Sequence, residues 1–111
     1  MATITPTALT TAGVQPTFAA ATGGGDTVAV GSNVYAKTTL IVRNGGASPI
    51  TVTLTAVNAC NQGSLHNVTV SCPNGQDTDI VLLPQVINLT TGNVAVGYSA
   101  VTSVTVAAIY N

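Results

Sequence analysis

The sequence predicts an all-β protein: a single small β-sandwich or jelly-roll-like barrel of about seven to nine short strands. Three observations carry this. Apolar residues recur with period 2, and no long window shows a 3.6-residue period. Thr, Val, Ala, Gly and Asn dominate, which suits pleated strands and turns rather than helices. Gly, Pro and Asn clusters punctuate the chain at strand-length intervals. With 111 residues the chain fits one domain, 1–111, long enough to bury one core. Trp is absent and Phe18 is the only Phe, so that core is built mainly from Val, Leu and Ile.

The elements follow in order. Residues 2–9 and 14–20 read as two short strands, demoted to edge positions by Pro6 and Pro16, which have no N–H to give a ladder. Residues 1–11 have a second reading, as an extended arm. Ala2, Thr3, Ile4 and Thr5 alternate weakly and offer few large apolar groups to a core, so they suit strand addition to a neighbour's sheet edge. Gly23-Gly24-Gly25 is a turn. Residues 38–43 and 50–57 are strands joined by Asn44-Gly45-Gly46-Ala47-Ser48-Pro49, read as a hairpin with a longer loop. In Ile50-Thr51-Val52-Thr53-Leu54-Thr55-Ala56 the apolar residues face one way and the threonines the other, as they do from Asn67 to Cys72. Pro73-Asn74-Gly75 separates that strand from residues 78–83. Pro84–Leu89 is one helical turn or a loop. Gly92-Asn93 opens a strand through Tyr98, and residues 101–109 form the last. The predicted core is Leu40, Val42, Val52, Leu54, Val68, Val70, Ile80, Leu82, Val94, Val96, Tyr98, Val104 and Val106.

Charge narrows the function classes. The only charged residues are Asp26, Lys37, Arg43, Asp77 and Asp79, for a net charge of −1. Two cations make no basic patch, so neither nucleic acid nor an anionic membrane surface is an expected partner. The uncharged run from Ile80 to Asn111 is interrupted by Asn88, Thr90, Thr91, Asn93, Ser99, Thr102 and Ser103 and alternates as strands do, so it is not a membrane span. No basic residue precedes Lys37, so no charged secretory leader is read, and a soluble chain made in a cytoplasm is expected. A monomer this poor in charge is weakly protected against association, which points to association as its work.

Enzyme motifs fail. The single histidine, His66, lies in the polar run Asn61-Gln62-Gly63-Ser64-Leu65-His66 and reads as a surface residue, without the orienting acid that a catalytic base needs. Asp77 and Asp79 sit beside a turn at i and i+2, too few oxygens for calcium. The glycine run lacks the Lys-Ser/Thr of a phosphate loop. Cys60, His66 and Cys72 lack a fourth ligand and the spacing of a zinc site. No catalytic residue, metal or cofactor is expected. For Cys60 and Cys72 two readings stay open: a disulfide closing a short loop, or two free thiols.

Several segments resemble small proteins encoded beside the major capsid gene of tailed bacteriophages. They are Ala2-Thr3-Ile4-Thr5-Pro6-Thr7-Ala8-Leu9, the run from Leu40 to Thr53, the run from Cys60 to Val70, Gly92-Asn93-Val94-Ala95-Val96-Gly97-Tyr98-Ser99 and the run from Val101 to Ala108. The chain is thereby similar to capsid decoration, or cement, proteins. The resemblance implies a virion structural protein on the capsid surface, with the major capsid protein and copies of itself, as a trimer, for partners. The sequence departs from the family pattern at Cys72 and Asn74, so the resemblance does not imply a Cys60–Cys72 bond. Two other readings compete: a phage tail or fibre β-domain, and an adhesion or carbohydrate-binding module, the latter disfavoured by the shortage of aromatic platforms.

Overall fold

The computed structural model describes residues 2–31, 38–57, 66–88 and 90–110. It is all-β, with two five-stranded sheets packed as a sandwich. The strands are β1 (Thr3–Ile4), β2 (Thr7–Ala8), β3 (Ala19–Ala20), β4 (Asp26–Ala29), β5 (Thr38–Asn44), β6 (Ile50–Leu54), β7 (Val68–Cys72), β8 (Gln76–Val81), β9 (Asn93–Tyr98) and β10 (Val104–Tyr110). A single 3₁₀ turn spans Pro84–Val86, where the sequence left a helical turn or a loop open. The first sheet runs β1-β4-β9-β6-β7. The second runs β2-β10-β5-β8, with β3 also paired to β10. The shortest dimension, 21 Å, is that of two sheets about 10 Å apart with their outer side chains.

The two inner faces meet in one core. From the first sheet come Ile4, Val28, Ile50, Val52, Leu54, Cys72, Val94 and Val96; from the second, Leu40, Val42, Ile80, Val104, Val106 and Ala108. Val86, which ends the 3₁₀ turn, and Ile87, which follows it, are also fully buried. Period-2 alternation therefore placed the facing of the long strands correctly. Val68, Val70 and Tyr98 pack against this core but are only half-buried, because β7 is an edge strand and Tyr98 ends β9 at the sandwich rim.

Strand partners differ from expectation. Asn44–Pro49 does not close a hairpin. β5 pairs with β10 and β8, whereas β6 pairs with β7 and β9, so the segment carries the chain from one sheet to the other. Asn44 makes that corner. Its buried amide donates to Ser48 O (2.9 Å) and Cys72 O (3.1 Å), and its Oδ1 accepts from Gly46 N–H (3.0 Å). Pro73-Asn74-Gly75 likewise joins β7 to β8 across the sandwich. The described residues form ten strands because the N-terminal third supplies four short ones, including β4, which the sequence did not suggest.

Candidate functional site

Residues 2–8 are paired within the domain in place of an extended arm. The run breaks at Thr5-Pro6, and its halves join different sheets. Thr3 and Ile4 pair in parallel with Thr27 and Val28, while Thr7 and Ala8 pair in parallel with Ile109 and Tyr110. Ile4 is buried in the core, and Leu9 N–H continues the second attachment to Tyr110 O (2.9 Å). A cleft of about 350 Å³ lies along this segment, lined by Thr3, Ile4, Thr5, Pro6, Thr7, Thr17 and Ala19. Its lining carries no charge.

One carboxylate fastens the strand. Asp26 is only 1% exposed and faces inward at the start of β4, after the turn in which Gly25 N–H bonds Thr22 O (2.9 Å). Gly25 has φ +97, and a β-carbon there would stand 2.8 Å from Val96 O, so the turn needs glycine. Asp26 Oδ1 accepts from Ala2 N–H (2.9 Å); Oδ2 accepts from Thr22 N–H (3.2 Å) and Tyr98 O–H (2.8 Å). Burial pushes this carboxyl's pKa up, but the bonds from Ala2, Thr22 and Tyr98 together outweigh it and hold the group below the usual range. Burial, and then the Asp26 carboxylate, push the Tyr98 phenol up. These contacts all come from within the domain, so the cluster reads as a structural clasp joining β1, the preceding turn and β9.

The other singled-out residues stay apart. His66 is exposed. Cys72 is a buried free thiol whose pKa is raised by burial; its suggested disulfide and zinc partner Cys60 lies outside the described residues. Among the described residues, no three His, Cys, Asp or Glu side chains gather as metal ligands. Asp77 forms a two-pronged pair with Arg43, through Nε to Oδ1 (3.0 Å) and Nη2 to Oδ2 (3.1 Å), on the outer face of the second sheet. Both side chains are about half exposed, so the pair adds little stability. Phe18 covers the same guanidinium, its ring centre 4.0 Å from the central carbon. The segment from β2 to β3 thus returns over this outer face, where Ala107 is fully buried although it points away from the core.

The surface is uneven in its apolar groups. Among the described residues, the large hydrophobic side chains left exposed are Leu9 (45%), Val57 (40%), Val81 (56%) and Leu83 (46%). Pairing puts them at one end of the molecule. Ala8, Tyr110, Thr38 and Leu82 form a row across the end of the second sheet, through the β2–β10 and β10–β5 registers and the bond from Leu82 N–H to Thr38 O (2.9 Å). Leu9, Val81 and Leu83 each adjoin this row in sequence. Val57 reaches the same end by donating to Gln85 O (3.0 Å). Sequence reading missed this grouping because the four residues come from three distant segments.

No protein family, curated protein or solved structure matches the chain.

Proposed function

We propose that this protein is a phage virion component that decorates and stabilises the outer surface of a capsid by bridging neighbouring major capsid subunits. The observation that carries the reading is the apolar end formed by Leu9, Val57, Val81 and Leu83 on a sandwich nearly devoid of free charge. The sequence resemblance to decoration proteins supplies the partner. A module that binds across subunits adds contacts present only in the assembled shell, so it favours that shell by mass action. Repetition over many sites makes weak individual contacts sufficient. Copies on a symmetry axis would form a trimer. In this reading the protein performs no reaction and holds no cofactor.

The test is to add the purified protein to shells that lack it, then measure their heat resistance and locate the added density by electron cryomicroscopy. Density at regular positions on the capsid surface, with a raised disruption temperature, is expected. Copies confined to the tail, or no binding to expanded shells, overturn the proposal.

A further inference from the structure

We propose that the free edge of β8 is a strand-docking site, taking an extended segment of a partner protein that carries a lysine or arginine opposite Asp79. The inference goes beyond the decoration reading and stands or falls on the isolated protein. Among the described residues β8 is the last strand of its sheet, bonded on one side to β5. The pairs across β5 and β8 alternate between hydrogen-bonded and non-hydrogen-bonded. The bond from Leu82 N–H to Thr38 O places Thr38–Leu82 in the bonded class, and with it Leu40–Ile80 and Val42–Thr78. The N–H and C=O groups of Asp77, Asp79 and Val81 therefore point away from β5, toward the open edge.

Edges are commonly blunted by charged side chains, proline or bulges. Gln76–Val81 has no proline or bulge, its register with β5 being unbroken, so Asp77 and Asp79 alone guard this edge, and a cation opposite them would lift that guard. Val81, the most exposed large hydrophobic side chain described, stands on this edge. Of the two acids beside it, Asp77 is already matched by Arg43. Asp79, exposed and opposite Ile41, has no ion-pair partner among the described residues.

That charge selects the occupant. Antiparallel pairing of two β8 edges centred on Asp79 would set two carboxylates face to face, which is unfavourable. The chain itself has only Lys37 and Arg43 to offer, and Arg43 is engaged. A different protein's strand, with a cation opposite Asp79 and an apolar side chain beside Val81, satisfies both groups as well as the open backbone.

The test uses isotope-labelled protein and a short capped peptide alternating threonine and valine around one central lysine, with a control peptide carrying glutamate in its place. The lysine peptide should shift the amides of Asp77, Asp79 and Val81 saturably, and bind about tenfold more tightly than the control. Asp79→Asn should equalise the two peptides. Asp79→Pro, which removes an outward-pointing N–H, should abolish binding. Absence of shifts at these amides with millimolar peptide, equal binding of both peptides to the unaltered protein, or shifts centred elsewhere overturn the proposal. Since no shell is present, such a failure leaves the decoration reading to its own test.

Discussion

Asp26→Asn keeps the size of the clasp side chain and removes its charge. In the native protein one buried carboxylate accepts from Ala2 N–H, Thr22 N–H and Tyr98 O–H at 2.9, 3.2 and 2.8 Å. A hydrogen bond to a charged acceptor contributes about 1.5–3 kcal/mol, a neutral one about 0.5–1.5. Asparagine leaves one acceptor oxygen, so Ala2 can stay satisfied while the new NH₂ faces the Thr22 N–H. The expected loss is about 2–4 kcal/mol, a large share of a small domain's stability. Urea unfolding of Asp26→Asn, Tyr98→Phe and the double variant measures it, and the cycle should give a coupling of about 1–2 kcal/mol. Hydrogen exchange adds a local readout, because Thr27 N–H bonds Ala2 O (2.9 Å) and should lose protection before the central strands do. The pH dependence has a definite sign. The folded-state pKa of Asp26 lies below its unfolded value of about 3.9, so its contribution is complete above that value and is lost as pH falls through the folded one. The asparagine variant should therefore lose less stability than the native protein below about pH 4. A cost under about 0.5 kcal/mol, or zero coupling with Tyr98, would refute the clasp.

Three further outcomes are expected. Val52→Asp or Val96→Asp puts an unpaired charge into a core where these side chains are 0% and 3% exposed, and should prevent folding, seen as loss of the sheet signal in circular dichroism. Gly92→Ala should cost about 2 kcal/mol or more in urea unfolding, because φ is +74 and the new β-carbon would lie 2.7 Å from the Gly31 backbone. Thr38→Val should be neutral or raise stability by about 1 kcal/mol, since the buried Thr38 hydroxyl has no hydrogen-bond partner among the described residues; a clear loss would reveal one.

The long strands were legible because threonine–valine alternation states which side chains face inward, and burial follows it at Leu40, Val42, Val52, Leu54, Val94, Val96, Val104 and Val106. Alternation says nothing about which strand lies alongside. Among the described strands, the one consecutive pair that is hydrogen-bonded is β6–β7, and the Asn44-Gly45-Gly46 segment looks the same in sequence whether it closes a hairpin or turns a corner. What separates the cases is the Asn44 amide bonding to Cys72, 28 positions away, which no local pattern encodes. β4 was hidden because an acid occupies its first inward position, and that acid is made tolerable by the nearby Thr22 N–H together with the distant donors at Ala2 and Tyr98. The apolar end and the free edge of β8 are products of strand order, and strand order is non-local.

The distribution of charge also decides how any docking should respond to salt and to copy number. Asp26 is internal and Arg43 is matched by Asp77; Lys37 lies outside the described residues, and Asp79 is the remaining exposed charge. Leu9, Val57, Val81 and Leu83 each keep about half of their surface exposed. Covering them is worth roughly 1 kcal/mol apiece, or about 4 kcal/mol together. By itself that corresponds to a millimolar dissociation constant, before ordering costs are subtracted. Attachment through the apolar end therefore requires several copies acting together, and its strength should vary little between about 0.05 and 0.5 M salt, where exposed charge pairs are screened. Sedimentation of shells with the protein across that salt range, run beside a dilution series that dissociates any oligomer, measures both. A steep loss of binding in salt would show that charge rather than the apolar end carries the attachment. Submicromolar binding by an isolated monomer would show that the interface extends well beyond these four side chains.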